Sequence, residues 1–156
     1  MTKIDYIKGD ATSPTGAGQK VICHICNDVG GWGAGFVLAI SKKWKEPEAA
    51  YREWYKTLDG FDLGRVQLVQ VEEDIFVANM IGQHGIRPNE HGVPPIRYDA
   101  VSSCLRILAN GVLNTGASVH MPRIGCGLAG GKWECIEPLI VQHLCSKGIQ
   151  VYVYDL

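Results

Sequence analysis

The chain has 156 residues, 46% of them hydrophobic, and a formal net charge of −1 from 15 basic and 16 acidic side chains. That length predicts one domain, residues 1–156, able to bury a core without staples. The composition excludes a disordered tail, a membrane protein (no run approaches the ~18 apolar residues of a spanning helix) and a protein that binds bulk nucleic acid through net positive charge.

Ile4–Lys8 reads as a short β-type run closed by Gly9-Asp10, and residues 1–10 do not read as a secretory leader. A turn-rich stretch over residues 12–18 precedes a strand over 21–26 and a glycine cluster, Gly30-Gly-Trp-Gly-Ala-Gly35. Phe36–Lys43 has a helical pattern ending in basic residues. Residues 47–55 predict a second helix, with proline in its first turn and an apolar stripe through Ala50, Trp54 and Leu58. Residues 64–71 and 75–81 read as paired strands, and 82–95 as a polar loop long enough to be functional. Tyr98–Val112 carries Val101, Leu105, Leu108 and Val112 at helical spacing. Residues 119–124 predict a buried strand, 125–131 a glycine turn, 133–145 a helix and 150–154 a closing strand. Strands and helices largely alternate, which implies an α/β layered domain with a sheet covered on both faces.

Six cysteines could suggest disulfides or metal, and Cys23 and Cys26 form a C-x-x-C. They lie three apart on a predicted strand, so their side chains point to opposite faces and cannot share one ion. With no second Cys/His pair at ligand spacing, the cysteines read as buried reduced thiols of a cytoplasmic protein, with no metal and no cofactor.

The two glycine clusters each follow an apolar strand and precede a helix, where ligands of open α/β sheets gather. Glycine lets backbone N–H groups approach an anion closely, and a helix N-terminus adds partial positive charge. Gly30, Gly31, Gly33 and Gly35 form one such turn; Gly125, Gly127, Gly130 and Gly131 form the other. Two such turns can embrace a pyrophosphate from opposite sides. Gly125-Cys-Gly-Leu-Ala-Gly130 satisfies G-x-G-x-x-G, but too little chain follows it for a dinucleotide fold. Gly130-Gly-Lys-Trp133 resembles a P-loop, yet Trp133 stands where Ser or Thr would hold magnesium.

Gly9-Asp10, the strand ending at Asn27, the Gly31–Gly35 loop and Met121-Pro-Arg-Ile-Gly-Cys-Gly-Leu128 together resemble a macrodomain, the ADP-ribose-binding fold, over nearly the whole chain. The last run is similar to the phosphate loop of the terminal ADP-ribose protein glycohydrolase class and, more loosely, to yeast-type ADP-ribose-1″-phosphate phosphatases. The stretch from Val77 to Gly85 looks closest to bacterial members. The resemblance implies a three-layer α/β/α domain with a central mixed, largely parallel sheet of about six strands. It implies that Asp10 meets the adenine amino group beside the amide of Ala11, and that Asn27 meets the distal ribose. Gly31, Trp32, Gly33 and Gly35 would close over that ribose and the diphosphate, with Trp32 packing over the ribose or gating the cleft. Gly125, Cys126, Gly127, Leu128 and Ala129 would hold the diphosphate. The glycohydrolase class uses a lysine nucleophile and an aspartate just after Gly-Cys-Gly-Leu. Here the aspartate position is Ala129 and the lysine-bearing strand reads Ile81-Gly-Gln-His84, which argues for a positioned water in place of a covalent lysyl route.

Candidates to position or activate that water are Asn27, Asp28, Gln83 and His84. His24 joins them because the yeast-type phosphatases carry a histidine at the matching position. Three of them have a plainer reading: Asp28 as a turn former, His84 as an idle loop residue, His24 as a hydrogen-bonded core histidine. The expected function is a hydrolase that removes ADP-ribose from modified acidic protein side chains, acting as a monomer on ADP-ribose and ADP-ribosylated proteins. An ADP-ribose-1″-phosphate phosphatase and a non-catalytic ADP-ribose reader are the alternatives.

Overall fold

The β-branched and aromatic runs become strands β1 (Ile4–Lys8), β2 (Lys20–Asn27), β3 (Val66–Glu72), β4 (Ile75–Gln83), β5 (Ser118–Met121) and β6 (Val151–Asp155) in a computed structural model, which describes residues 2–156. They form one sheet in the order β1-β6-β5-β2-β4-β3, in which every neighbouring pair is parallel except β3 and β4. The helices are α1 (Phe36–Lys43), α2 (Glu46–Thr57), α3 (Tyr98–Val112) and α4 (Trp133–His143), and a 3₁₀ turn covers Cys145–Lys147. This is the expected α/β/α arrangement.

Side-chain alternation along β2 separates the two cores. Val21 and Cys23 join the cluster under α3 and α4, while Ile22 and Cys26 join the cluster under α1 and α2. Cys23 and Cys26 therefore stand on opposite faces, and the six cysteines are free. Four of them are buried, but Cys126 is half-buried and Cys135 is exposed, a departure from uniformly buried thiols. On α3, Val101, Cys104, Leu105, Leu108 and Val112 form a buried stripe at i, i+3, i+4 spacing. Truncating a fully buried residue such as Leu105 to alanine costs about 2–5 kcal/mol in comparable cores.

Several boundaries differ from the sequence reading for physical reasons. β5 ends at Met121, short of residue 124, because Pro122 has no N–H for the ladder and the chain turns outward there. β4 runs on through Gln83, because a register shift opposite Cys26 and Asn27 brings Gln83 level with Asn27. In α2 the buried residues are Pro47 and Tyr51, and Leu58 is 62% exposed as a left-handed C-cap; the stripe through Ala50, Trp54 and Leu58 is off by one helical position. α4 stops at His143, two residues before the predicted end, and a 3₁₀ turn follows.

Both strongly buried histidines lie on the α1/α2 side of the sheet in satisfied polar strings. In register across three strands, His24 on β2 pairs with Asn79 on β4, which pairs with Gln67 on β3. Asn79 donates from Nδ2 to Pro47 O and Gln67 Oε1, both at 3.1 Å, so its Oδ1 accepts from His24 Nε2–H at 2.6 Å. Gln67 Nε2 in turn donates to Ala50 O at 3.0 Å, tying the string to α2. In the second string the Tyr154 hydroxyl accepts from Thr15 N–H at 2.9 Å and donates to His120 Nδ1 at 2.7 Å, while His120 Nε2–H donates to Ser118 Oγ at 2.7 Å. Burial pushes the pKa of each ring down to about 4, with Lys20 adding to the effect at His120.

Candidate active site: a cleft built by two glycine loops

At the carboxyl ends of the parallel strands, three adjoining cavities form one cleft. The middle cavity, about 260 Å³, is lined from one side by Ala34, Gly35, Phe36 and Val37 and from the other by Gly125, Gly127, Leu128 and Ala129. The two glycine loops thus converge on one space, as the sequence predicts. A second cavity of about 160 Å³ shares Ile25, Ala34, Val37, Gln83 and Leu128 with the first and adds Asn27, Gly31, Trp32 and Gly33. A third, about 270 Å³, shares Phe36, Pro122 and Arg123 with the first and adds Asp10 and Ala11.

The middle cavity is an anion cradle by construction. α1 begins at Phe36 with no side-chain cap, and its N-cap Gly35 has φ 81° and ψ −147°, which glycine adopts without strain. Leu38 N–H donates to Gly35 O at 3.1 Å, which leaves the amides of Phe36 and Val37 as unspent donors at the positive end of the helix. Opposite them, Cys126 N–H donates to Arg123 O at 3.3 Å, Gly130 N–H to Gly127 O at 3.0 Å and Gly131 N–H to Gly125 O at 2.7 Å. These bonds fix the loop. Among the described residues, no acceptor takes the amides of Gly127, Leu128 and Ala129. Cys126 contributes backbone alone: its side chain packs against the core and does not line the cleft. Gly131 cannot be replaced, because a Cβ there would sit 2.4 Å from Gly125 O.

The first loop is pinned by side chains. Asn27 Oδ1 accepts from Val29 N–H at 3.0 Å and Gly31 N–H at 2.9 Å, and its Nδ2 donates to Gly31 O at 2.9 Å. The buried Tyr51 hydroxyl lies 2.8 Å from Asn27 Oδ1 and 2.7 Å from Asn27 O, and accepts from Gly30 N–H at 3.1 Å. Asn27 is thus the organiser of its loop as well as a wall of the cleft. Trp32 is 4% exposed, packs against His24 and Tyr51, and donates from Nε1 to Ser41 Oγ at 2.7 Å. It forms a fixed wall beneath the loop and lines the second cavity, a buried and hydrogen-bonded position that suits packing rather than gating; burying the indole is cheaper than leaving it at a loop tip. The exposed apolar rim belongs to Leu128 and Ile86, 71% and 52% exposed.

The polar candidates separate into two groups. Gln83 lines the middle and second cavities and donates from Nε2 to Gly85 O at 3.0 Å. His24 lies in the floor of the middle cavity, 1% exposed and held neutral by burial. Asp28 and His84 do not line the cavities. They bond to each other across the rim, Asp28 Oδ2 to His84 Nδ1 at 2.7 Å, while Asp28 Oδ1 accepts from Gly85 N–H at 2.8 Å. Asp10 Oδ1 accepts from the hydroxyl and amide of Thr12 at 2.7 and 2.8 Å, and these bonds hold its carboxyl below its usual range. Sequence reasoning missed Tyr51, Phe36 and Ile86. Phe36 had a signal, standing first after the glycine loop; Tyr51 and Ile86 reach the site only through packing.

No protein-family model matches the chain. A solved structure described as a protein of unknown function from Bacteroides thetaiotaomicron is 64% identical, with 99% of each chain covered and a TM-score of 0.98. A macrodomain protein from Streptomyces coelicolor is 51% identical, again with 99% of each chain covered, at a TM-score of 0.88. Among curated proteins, the mouse chromodomain-helicase-DNA-binding protein 1-like is 32% identical over 98% of this chain, and the chain spans 18% of that protein's length. An ADP-ribose 1″-phosphate phosphatase from Lodderomyces elongisporus is 27% identical over 97% of this chain and 99% of its own. The close similarity to the Streptomyces protein along the full length of both, together with the shared sheet and helices, makes this chain a member of the macrodomain family.

Proposed function

We propose that residues 1–156 act as one macrodomain that binds ADP-ribose in the cleft and hydrolyses it from modified acidic protein side chains. The observation that carries this reading is the cradle: amides 127–129 and the uncapped start of α1 face each other across one cavity, with a cavity on each side. Opposed N–H groups suit a diphosphate. In the third cavity the free oxygen of Asp10 and the amide of Ala11 suit an adenine edge. In the second, Asn27, Gly31 and Gly33 suit the distal ribose, and Gly35 closes toward Leu128, whose Cδ1 would be 3.9 Å from a Cβ placed there.

Hydrolysis then needs one water held at the distal ribose. Asn27 and Gln83 border that cavity and hold the water, whose oxygen replaces the acceptor carboxylate as a proton passes to it. Asp28 orients His84 at the rim, where the acceptor side chain leaves the cleft. His24 serves as a rigid neutral floor under the diphosphate. The reaction uses no metal, so chelator leaves turnover unchanged. The protein works as a cytoplasmic monomer; no helix of the described residues is long and apolar enough to cross a membrane.

Phosphatase action on ADP-ribose-1″-phosphate is the second reading, favoured by the full-length similarity to the Lodderomyces protein of that name. Incubation with a glutamate-linked ADP-ribosylated protein and with ADP-ribose-1″-phosphate separates the two. Release of ADP-ribose from the protein supports the leading reading, and phosphate release alone supports the second. Binding without consumption of either substrate makes the chain a reader.

A further inference from the structure

Arg123 sits where the third cavity meets the middle one and lines both. Its edge is committed: Nε donates to Asp155 Oδ1 at 2.8 Å and Nη2 to Asp155 Oδ2 at 3.0 Å, a bidentate pair that fixes the guanidinium plane. One side is also committed. The guanidinium carbon lies 5.1 Å from the ring centre of Tyr6 and 5.1 Å from that of Trp133, while the two ring centres are 6.3 Å apart. Rings on opposite sides would stand roughly twice the single distance apart, so both lie to one side of the guanidinium, edge to face with each other at 77°. The rings are themselves fixed edge to face, with Trp133 Nε1 donating to the Tyr6 hydroxyl at 3.0 Å and that hydroxyl bonded to Glu137. Neither ring lines the cavities, whereas Arg123 does. The side of the guanidinium away from the rings is therefore the one that borders the cleft.

We infer that this open face is a stacking platform for the purine of the bound nucleotide and that Arg123 sets the preference for a purine over a pyrimidine base. A planar cation held flat stacks on a π system without rotational freedom left to lose, and the larger purine face covers it more fully. The inference rests on the nucleotide reading of the cleft and adds to it the residue that selects the base by area. Asp10 lines the same cavity and is free to read the base edge. Because Asp155 neutralises the guanidinium, the platform is distinct from a phosphate clamp.

Calorimetric titration of the wild type, Arg123→Ala and Arg123→Lys with ADP-ribose and with uridine-diphosphate ribose tests it. Arg123→Ala should weaken ADP-ribose about tenfold and the uridine compound less than about threefold, and Arg123→Lys, which keeps the charge but not the plane, should behave like alanine. Thermal melting checks the fold, and the exposed ion pair predicts a small change. Equal weakening of both ligands with rescue by lysine would show that Arg123 acts as a simple charge, and ADP-ribose binding unchanged in Arg123→Ala would equally overturn the platform while leaving the function intact. A wild type that binds neither ligand would overturn both.

Discussion

The two loops that build the cleft reach the same job by different means. The 28–35 loop is held by buried side chains: Asn27 bonds three of its backbone groups, Tyr51 bonds Gly30, and Trp32 anchors it on Ser41. The 122–131 loop is held mainly by backbone bonds, Gly130 N–H to Gly127 O, Gly131 N–H to Gly125 O and Ile96 N–H to Ala129 O, with Arg123 on Asp155 as its side-chain tie. Side-chain pinning couples a loop's shape to the core, so damage to an anchor costs stability and site together. Backbone pinning leaves side chains such as Leu128 free to vary at little cost to the fold.

The largest expected effect is on the cradle where the loops meet. Gly35→Val forces a β-branched residue into φ 81° and pushes its side chain toward Leu128. Affinity for ADP-ribose, measured by calorimetry, should fall about 100-fold or more, from backbone strain of ~1–3 kcal/mol and the obstructed cradle. Anchors of the first loop come next. Tyr51→Phe leaves Gly30 N–H without its acceptor and should lower unfolding free energy by about 1–3 kcal/mol in urea titrations while also weakening ligand binding. Asn27→Ala should slow turnover more than it weakens binding; equal losses would reduce Asn27 to a loop organiser.

The pH dependence sharpens the contrast between the polar face of the sheet and its apolar one. His24 and His120 are held neutral with pKa values near 4, below the unfolded value of about 6.5. As pH falls the unfolded chain takes up protons first. Stability is therefore complete above about pH 6.5 and is lost toward pH 4, by up to ~1.4 kcal/mol per pH unit for each ring. Urea midpoints at about pH 7 and about pH 5 check this, and a midpoint unchanged between them would contradict it. The smallest effect belongs to the second loop's rim: Leu128→Ser, at a site 71% exposed, should shift stability by less than about 0.5 kcal/mol and alter ligand affinity only severalfold.

Much of this was legible in the sequence because it is local. The glycine turns after strands, the α3 stripe and the start of α1 each follow from neighbouring residues, and they put the cradle in place. The features that sequence could not supply depend on which strands lie side by side. His24, Asn79 and Gln67 are far apart in the chain and meet only because β2, β4 and β3 are neighbours in register. The Asp28–His84 bond has the same origin. Trp32 misled for a different reason: its glycine-rich surroundings suggest a tip, while the space under the loop, lined by His24 and Tyr51, draws the indole inward. The partners of Arg123 are non-local too: Asp155 comes from β6 and the aromatic pair from β1 and α4.

A ¹H–¹⁵N NMR titration of the full chain with ADP-ribose addresses the convergence of the loops most directly. The amides of residues 35–37 and 127–129 should move together and saturate at one ligand concentration. Movement confined to one of these segments, or centred elsewhere on the protein, would contradict a diphosphate gripped from both sides.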